Sequence, residues 1–340
     1  MCEPMTTHHA SRGRQSEKAH IKNSPSADGW GLGLDAGGTH TRWALADTSG
    51  RVVAVGELPA MSGQQLASDQ GRLALAATLH QLAQQLAPHP VRALVAGITG
   101  FEAGAMPLWR MLAAQALRLP AAAVRAISDI ELACAAAFAP GQGVVLIAGT
   151  GSIAAHVDAQ GQLHRAGGRG AVIDDAGGGH WIACQALQHI WRAEDSAPGC
   201  WQASALARRV FDQVGGSIWA QTRAWVYGAT RGELGLLARA VAQAAEEDAA
   251  AAAILRGAGQ ELARLVLALQ QRLGVLPLPL PLALTGRVFE LHPLIETSLL
   301  QALSAPVSVR RLRAPAHHAA ACLAASAPPQ WLDPDVKAAP

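Results

Sequence analysis

A strand that ends in a glycine turn and continues into a hairpin occurs twice in this chain. The first copy is Gly31–Arg42, GLGLDAGGTHTR, in which apolar residues lead to Asp35 and then to the turn Ala36–Thr39. The second copy starts at Gly143, where GVVLIA leads into the turn Gly149–Ser152, GTGS. Each turn is followed by two short strands with a tight connection, which is the pattern of a β-hairpin. The repeated context predicts two similar α/β units that arose by internal duplication.

Both glycine turns have the composition of a phosphate-binding loop. Glycine lets the backbone approach a bulky anion, because no Cβ blocks the approach and positive φ costs little. Successive N–H groups in such a turn form a concave site for phosphate oxygens. Thr39 and Thr41 add hydroxyl donors, and Asp35 brings a carboxylate to where a magnesium–phosphate complex would bind. A hairpin turn that needs glycine only for its backbone conformation is the alternative, and the first turn alone does not separate the two.

Lysine is nearly absent from the chain, and this excludes one class of nucleotide-binding protein. The three lysines, Lys18, Lys22 and Lys337, lie near the ends, and the strongly basic residues between them are arginine. A P-loop requires the lysine of its Gly-Lys-Ser/Thr motif, so the body of this chain cannot form one. The formal net charge of +2 is too small to indicate a nucleic acid or an anionic membrane as a partner.

The cysteine pattern and the N-terminal residues favour a cytoplasmic protein. No C-x-x-C pair occurs among the five scattered cysteines, so neither a zinc site nor a disulfide framework is expected. The five cysteines are Cys2, Cys134, Cys184, Cys200 and Cys322. Residues 1–28 are polar and lack the apolar core of a signal peptide, and we expect them to form a disordered tail. No apolar run is long enough to predict a membrane span.

Predicted strands and helices alternate along the rest of the chain, as in an α/β protein. In the first unit, helices are predicted at Gly71–Leu86 and Met106–Leu117, on either side of the strand Val91–Ile98. The second unit is expected to begin near Val124 with a short strand that ends in Ser128–Asp129. Functional loops are expected where such strands end.

A long helical stretch is predicted over Leu234–Leu273. Its segment Ala238–Ala253 is almost pure alanine with acidic residues, so the cluster Glu246–Asp248 is expected on a solvated helix face. Gly257 and Gly259 are expected to break the helix, because glycine in a helix interior costs about 1 kcal/mol relative to alanine.

Six motifs in this order resemble those of one family. They are the D-x-G-G-T-x-T turn at Asp35–Thr41, Asp129 at a strand end, the GTGS turn, the turn Gly167–Gly170, the segment Asp175–Trp181 and the late turn Thr285–Gly286. With these residues, roughly Gly31 to Ser326 resembles the BadF/BadG/BcrA/BcrD-type ATPases. Within them, the chain is most similar to the N-acetylglucosamine and glucosamine kinases.

The resemblance implies a two-lobed actin-like ATPase fold, which is ribonuclease H-like and has duplicated mixed β-sheet domains with a cleft between them. The first lobe is expected at 29–123 and is completed by a C-terminal helix at 315–327. The second lobe is expected at 124–314 and includes a helical insertion. Residues 1–28 and 328–340 would be tails. Relatives of this kind are commonly dimers, which leaves a homodimer as an open expectation.

The resemblance also implies a nucleotide site in the cleft. The phosphates of ATP would be bound by both glycine turns, at Gly37, Gly38, Thr39, Thr41, Gly149, Thr150, Gly151 and Ser152. Gly286 and Arg287 would pack beside the adenosine, although the family commonly has a second glycine in place of Arg287. Asp35 would hold Mg²⁺, mainly through water, because Mg²⁺ keeps several of its waters in protein sites.

The implied second substrate is an amino sugar phosphorylated at its 6-hydroxyl. Asp129 would accept the proton of the attacking hydroxyl as general base. The sugar would be lined by Thr99, Gly100, Asp129, Gly168, Arg169 and Asp175, with Asp175 accepting hydrogen bonds from sugar hydroxyls. Ala176 stands where the family usually has a glutamate, and the asparagine expected after the first hairpin is missing, with Gln64 or Gln65 as substitutes. The sequence therefore leaves open which hexosamine is the substrate.

Alternatives remain for single residues and for the whole protein. Asp129 could be a helix N-cap, although the Ser128 hydroxyl could fill that role. Asp174 is expected to be solvated, and His317–His318 to lie on the surface. A second function is an activator ATPase that couples ATP hydrolysis to electron transfer into a CoA-ester reductase or dehydratase. Such activators hold an iron–sulfur cluster with cysteine thiolates, which the scattered cysteines disfavour, with Cys134 as the one exception.

A third function is a sugar- or nucleotide-sensing protein that has lost catalysis. Asp35, Asp129 and both glycine turns are all present, which disfavours that interpretation.

Overall fold

The computed structural model describes residues 29–326, except 38–39, 88, 275–277 and 304. The described residues form two five-stranded mixed sheets. The strands of the first sheet are β1 (Trp30–Ala36), β2 (His40–Ala46), β3 (Val52–Pro59), β4 (Val91–Ile98) and β5 (Val124–Ser128). Those of the second are β6 (Val144–Ala148), β7 (Ser152–Val157), β8 (Leu163–Gly167), β9 (Leu280–Thr285) and β10 (Val307–Arg311).

The two sheets share one topology. Their strand orders are β3-β2-β1-β4-β5 and, written in the matching direction, β8-β7-β6-β9-β10. In each sheet the first three strands form an antiparallel meander. The fourth strand pairs in parallel with the strand that opens the sheet, and the fifth pairs in parallel with the fourth. This confirms the predicted duplication and the two-lobed α/β fold class.

Eleven α-helices are described around these sheets. Those of the first half are α1 (Asp69–Leu86), α2 (Met106–Leu117) and α3 (Asp129–Ala137). A helical segment follows, with α4 (Gly179–Ser196), α5 (Ala205–Val214), α6 (Trp219–Gly228), α7 (Arg231–Leu236), α8 (Ala238–Ala244) and α9 (Ala249–Leu273). The last two are α10 (Pro293–Ala302) and α11 (Ala316–Ala325). No described helix combines the length and apolar character needed to cross a membrane.

The strand at Val124 belongs to the first sheet, which corrects the expected start of the second unit. β5 pairs in parallel with β4, and Leu94 lies opposite Val124 in the register. Parallel neighbours need a crossover connection, and α2 supplies it, so 124–128 completes a βαβ unit of the first half. The chain leaves this sheet only at Asp129.

The long helical stretch breaks at different places from those predicted. One interruption falls at Leu237, between α7 and α8. A longer one falls between α8 and α9, where Asp248 accepts from the N–H groups of Ala250 and Ala251 at 3.0 and 3.3 Å. The other oxygen of Asp248 accepts from the Leu206 N–H at 3.0 Å. Asp248 therefore caps α9 and fastens α5 to it, so it is not part of a merely solvated face.

Gly257 and Gly259 lie inside α9, where they were expected to break the helix. A Cβ at Gly259 would overlap the Ile295 carbonyl of α10 and come within 2.8 Å of the Leu299 nitrogen. The glycine therefore allows α9 and α10 to pack closely, and this contact offsets the low helix propensity of glycine.

Helix α11 follows the second sheet in the sequence but packs on the first sheet. It packs on β1, β2 and β4, with Ala320 and Ala324 buried beside Val95 of β4. Gly31 and Gly33 of β1 face this helix, and a Cβ at either glycine would overlap its backbone. The glycines of the GLGLD segment therefore serve the docking of a helix, whereas those of the following turn lie at the strand end.

His317 is buried, which corrects the expected surface position. Only 6% of the residue is exposed, and its Nδ1 has no hydrogen-bond partner among the described residues. Burial lowers the pKa of His317 to about 4, helped by His318 and by Arg42 of β2, while Glu57 of β3 acts in the opposite direction.

This buried histidine predicts a pH dependence of stability. The pKa lies below the ordinary value of 6.5, so the neutral imidazole contributes stability that is complete above pH 6.5 and is lost as the pH falls toward 4. The loss should reach roughly 3 kcal/mol by the lower end of that range. Replacement of His317 by leucine should remove this part of the pH dependence in urea titrations between pH 7 and 4.5. An exposed histidine on α1, His80, supplies the control as His80→Gln, and an equal slope in wild type and His317→Leu would contradict the assignment.

Candidate active site

Three polar side chains meet where parallel strands of the first sheet end. Asp35 is the penultimate residue of β1, Thr99 follows β4 directly, and Asp129 follows β5. Because β1, β4 and β5 are parallel, their carboxyl ends lie at one edge of the sheet, where ligands bind in open α/β sheets. The Thr99 hydroxyl donates to Asp129 Oδ2 at 2.9 Å. The structure thus brings together these three residues predicted from the sequence.

Ser128 caps α3 and leaves the Asp129 carboxylate at the sheet edge. The Ser128 Oγ accepts from the Glu131 N–H at 3.2 Å, and a Glu131 oxygen accepts from the Ser128 N–H at 2.9 Å. This reciprocal pair is a capping box. Asp129 is the first helical residue, and its Oδ1 accepts from the Ile130 N–H at 3.0 Å. The helix therefore does not need Asp129 as its N-cap.

Asp35 carries a perturbed carboxyl beside Asp129. Burial raises the pKa of Asp35, and the negative charge of Asp129 raises it further, against smaller opposite effects of Arg42 and His40. Two carboxylates that repel each other at a half-buried edge favour a bound cation. Mg²⁺ takes oxygen ligands and uses one or two carboxylates. The donor set therefore fits a magnesium ion, with Asp35 as the ligand predicted from the sequence.

Asp35→Asn is expected to stabilise the metal-free protein. The folded protein holds the pKa of Asp35 above its ordinary 3.8, so the ionised carboxylate destabilises the fold at pH values above the raised pKa. Removing this charge should raise the melting temperature by roughly 1–3 °C at pH 8, with a gain that shrinks as the pH falls toward 4. Thermal unfolding in EDTA at several pH values measures this. A lower melting temperature at pH 8 would show that the carboxylate is held by compensating contacts.

The first glycine turn is described in part. Gly37 donates to the His40 carbonyl at 3.3 Å, while Gly38 and Thr39 lie outside the described residues. Thr41 is fully buried, and its Oγ1 accepts from the Met61 N–H at 3.0 Å. The side chain of Thr41 therefore holds the segment after β3, and its expected role as a phosphate donor stays a prediction.

The second glycine turn is fastened to the start of α4. Gly149 and Thr150 carbonyls accept from the N–H groups of Gly179 and His180 at 2.8 and 3.0 Å. A Cβ at Gly149 would meet nothing within 4 Å, so there is space for a ligand beside the turn, although the Gly149 N–H itself donates to the Gly151 carbonyl at 2.9 Å. Ser152 is buried, and its hydroxyl donates to the Ala176 carbonyl at 2.5 Å, while its expected role as a phosphate donor stays a prediction.

A narrow pocket of about 50 Å³ adjoins this turn. It is lined by the turn, by α7 and α8, and by the segment after β9, including Gly149, Thr150, Gly232, Leu236, Arg239 and Arg287. Gly286 has φ of +106°, and a Cβ there would overlap the Ala148 carbonyl at the end of β6. Ligand pockets usually hold ~300 Å³ or more. A nucleoside therefore fits here only if α7 or the exposed Arg287 moves outward.

The loop expected to line a sugar is tied to the second sheet. The Gly168 N–H donates to the Ser152 carbonyl at 2.8 Å, and the Arg169 N–H donates to the Asp174 carbonyl at 3.2 Å. Asp174 is ion-paired with Arg264, which donates at 2.9 and 3.1 Å. Asp174 is therefore held in place, whereas a solvated side chain was expected.

Asp175 is not open to a sugar in this structure. Its side chain is only 4% exposed and is paired with Arg231 of α7. Because the carboxylate is buried and already accepts from a guanidinium, the expected hydrogen bonds from sugar hydroxyls are not available to it in this arrangement. The sequence analysis did not identify Arg231 as a site residue. The local sequence around it marks only the start of α7, through the capping box of Thr230 and Glu233.

The short helical turn after β3 brings one glutamine to the site. Gly63 donates to the Thr99 carbonyl at 3.0 Å, which places this turn beside the Thr99–Gly100 loop. Gln65 is occupied, because its Oε1 accepts from the Ser62 N–H at 2.8 Å. Gln64 is exposed, and its Cγ would lie 3.8 Å from a Cβ at Gly100. Of the two predicted substitutes for the missing asparagine, Gln64 is the one near the site.

Comparison with known proteins places the chain among ATPases. A profile of the BadF/BadG/BcrA/BcrD ATPase family matches residues 32–321. The chain belongs to this family. No curated protein matches the chain.

Solved structures of similar proteins support the fold of this family member. A candidate N-acetylglucosamine kinase from Chromobacterium violaceum has 27% identity and a TM-score of 0.65, over 87% of this chain and 99% of that one. A candidate N-acetylglucosamine kinase from Porphyromonas gingivalis has 16% identity and a TM-score of 0.60, over 86% and 98%. A ROK family glucokinase from Streptomyces griseus, solved with glucose and AMPPNP, has 16% identity and a TM-score of 0.51, over 87% and 98%. The last two matches concern the fold alone.

Cys134 is poorly suited to hold an iron–sulfur cluster. It is 4% exposed and packs with Ala137 of α3 and with Val145 and Ala155 of the second sheet. Burial raises the pKa of its thiol to about 12, with a further contribution from the charge of Glu131. A cluster ligand must be a thiolate that the iron can reach, so the cysteine that the sequence left as an exception does not support the activator function.

Proposed function

We propose that the protein is an ATP-dependent hexosamine kinase that phosphorylates the 6-hydroxyl of N-acetylglucosamine or glucosamine. The observation that carries the proposal is the position of the Asp129 carboxylate. Ser128 serves as the N-cap of α3 in its place, the Thr99 hydroxyl donates to it, and it lies near Asp35 at the sheet edge. Membership of an ATPase family supports the nucleotide. The match to a candidate N-acetylglucosamine kinase at 27% identity supports the second substrate.

Asp129 performs general-base chemistry in this proposal. Its carboxylate accepts the proton of the attacking sugar hydroxyl as the oxygen bonds to the γ-phosphorus. The Thr99 hydroxyl donates to Oδ2 at 2.9 Å and the Ile130 N–H to Oδ1 at 3.0 Å. Each oxygen therefore keeps a free lone pair, and the two donors fix the plane of the carboxylate toward the substrate.

The other site residues position and neutralise the phosphates. Magnesium held by Asp35 supplies charge neutralisation when it is bound, which is the main demand of phosphoryl transfer. The second glycine turn binds phosphate oxygens, and Arg287 and Gly286 lie beside the nucleoside. Movement of the walls around the narrow pocket admits the nucleotide, and their return excludes water from the transfer.

An ADP-release assay tests this function. We expect ADP formation that depends on one hexosamine among glucosamine, N-acetylglucosamine, glucose and N-acetylmuramic acid, and that requires magnesium. ADP release at the same rate with and without every sugar would contradict the kinase function. That result would lead to iron analysis of the purified protein as the test of the activator alternative.

A further inference from the structure

The absence of lysine raises the question of which cation faces the nucleotide phosphates. Residues 29–326 contain no lysine, so only arginine or histidine can supply a positive side chain there. Phosphoryl transfer depends on neutralising the charge of the phosphates. The residues predicted from the sequence for the two glycine turns carry no positive charge.

Arg239 and Arg287 line the pocket beside the second glycine turn, and Arg231 lies directly against the backbone of the turn at Gly151. A Cβ at Gly151 would overlap its Nη2 and would lie 2.7 Å from the Asp175 carboxyl carbon. The guanidinium thus lies directly against the GTGS backbone, where any residue other than glycine would displace it. Its side chain is 44% exposed, so a ligand at the turn can reach it.

The Asp175 carboxylate fixes this guanidinium while leaving most of its donors free. Arg231 Nη2 donates to Asp175 Oδ2, and no other bond of this side chain is found among the described residues. A guanidinium has five N–H donors, and its planar fork matches phosphate oxygens in a bidentate manner. One edge can therefore bind the carboxylate while another binds a phosphate.

The segment that carries Arg231 packs on the same turn. A Cβ at Gly235 of α7 would lie 3.4 Å from the His180 nitrogen and 3.7 Å from Thr150 Cγ2. Burial lowers the pKa of His180, and the nearby charge of Arg231 lowers it further. The positive field of Arg231 thus acts on the junction between the glycine turn and α4.

We propose that Arg231 binds the phosphates of the nucleotide at the second glycine turn, and that Asp175 is the residue that positions it. This inference rests on the nucleotide binding contained in the proposed function. It gives Asp175 a role through Arg231 in this arrangement, beside the sugar contact expected from the sequence, which stays a prediction.

Isothermal titration calorimetry with ATP and with adenosine tests this proposal without relying on turnover. In Arg231→Gln, the affinity for ATP should fall roughly tenfold to hundredfold, as expected for a lost hydrogen bond to a charged group. The affinity for adenosine should stay within about threefold, because the nucleoside lacks phosphates. Arg231→Lys retains the charge and should lose less ATP affinity than Arg231→Gln.

Arg264→Gln is the matched control. Arg264 is paired with Asp174, the neighbour of Asp175, and its side chain is 49% exposed, close to the 44% of Arg231. It lies outside the contacts described for Gly151, so Arg264→Gln should bind ATP as the wild type does. Melting temperatures of all variants are measured in parallel.

The outcomes separate this inference from the function on which it rests. Wild-type protein that binds no ATP would overturn both. Wild-type binding with unchanged ATP affinity in Arg231→Gln would overturn the role of Arg231 alone. Equal losses for ATP and adenosine would also overturn it, since they would show that Arg231 only supports the wall of the pocket. If Arg231→Gln does not fold, the same comparison is made with Arg231→Met, which also removes the charge and keeps an unbranched side chain.

Discussion

Asp129→Asn is expected to lower kcat by roughly 10²–10⁴-fold, the usual contribution of a general base. The substitution keeps the shape of the side chain, and its single carbonyl oxygen can still accept from the Ile130 N–H. The amide NH2 takes the place of the oxygen that accepts from Thr99, and the proton acceptor is lost. KM for sugar and for ATP should change by less than about threefold, because a loss confined to the transition state lowers kcat and kcat/KM together. Steady-state kinetics with both substrates varied measure this.

Thr99→Val serves as the companion variant. Valine is similar in size to threonine and cannot donate, so Asp129 loses the hydrogen bond that orients Oδ2 while remaining a base. We expect a loss of roughly tenfold in kcat, about the value of one hydrogen bond to a charged group. An Asp129→Asn enzyme with wild-type kcat would exclude Asp129 as the base, whatever Thr99→Val shows.

Gly33→Val is expected to prevent stable folding. A Cβ at Gly33 would overlap the backbone nitrogen of Ala321 and the His317 carbonyl of α11, and would lie 2.7 Å from the Ala320 carbonyl carbon. These are backbone atoms at the centre of a packed interface, so they cannot move without separating α11 from β1. We expect a destabilisation of about 4 kcal/mol or more, in the range of severe overpacking and loss of core contacts.

Gly104→Val is the control for this prediction. A Cβ at Gly104 would meet nothing within 4 Å, so the change should cost about 1 kcal/mol or less. Chemical denaturation of both variants, or soluble yield where Gly33→Val cannot be purified, gives the comparison. Equal stability of the two variants would mean that α11 does not pack on β1 as described.

The local sequence pattern predicts much of the scaffold. The strand Val91–Ile98 and the helix Met106–Leu117 have the predicted bounds, because a continuous apolar run and helical spacing are decided within the segment itself. The second glycine turn and the Ser128–Asp129 strand end also lie at the sheet edges where the pattern predicted loops. Ser128 caps α3, as the side-chain chemistry of serine favours.

Features that depend on distant contacts were not predictable from local pattern. Gly31 and Gly33 lie near the start of the described chain and allow α11, near its end, to pack closely on β1. In the same way Gly259 allows α10 to pack closely on α9. The buried Thr41 oxygen accepts from the Met61 N–H, and the buried Ser152 hydroxyl donates to the Ala176 carbonyl. Neither contact is visible in the motif, where both hydroxyls have the pattern of phosphate donors.

The pairing of Asp175 with Arg231 is also a contact between distant parts of the sequence that the local pattern does not predict. The two residues lie 56 positions apart, and the intervening α4, α5 and α6 carry no signal that α7 returns to the second glycine turn. Only the capping box at Thr230 marks the start of that helix, and a cap specifies where a helix begins, not where it packs.

The ratio of sugar phosphate to ADP tests the central claim most directly. Wild-type protein is incubated with ATP, magnesium and the hexosamine that gives the highest rate, and both products are quantified by phosphorus NMR and mass spectrometry. The account predicts one hexosamine 6-phosphate for each ADP, with neither product above background in Asp129→Asn. ADP formed without any sugar phosphate would contradict the account, because it would show an ATPase that does not transfer phosphate to a sugar.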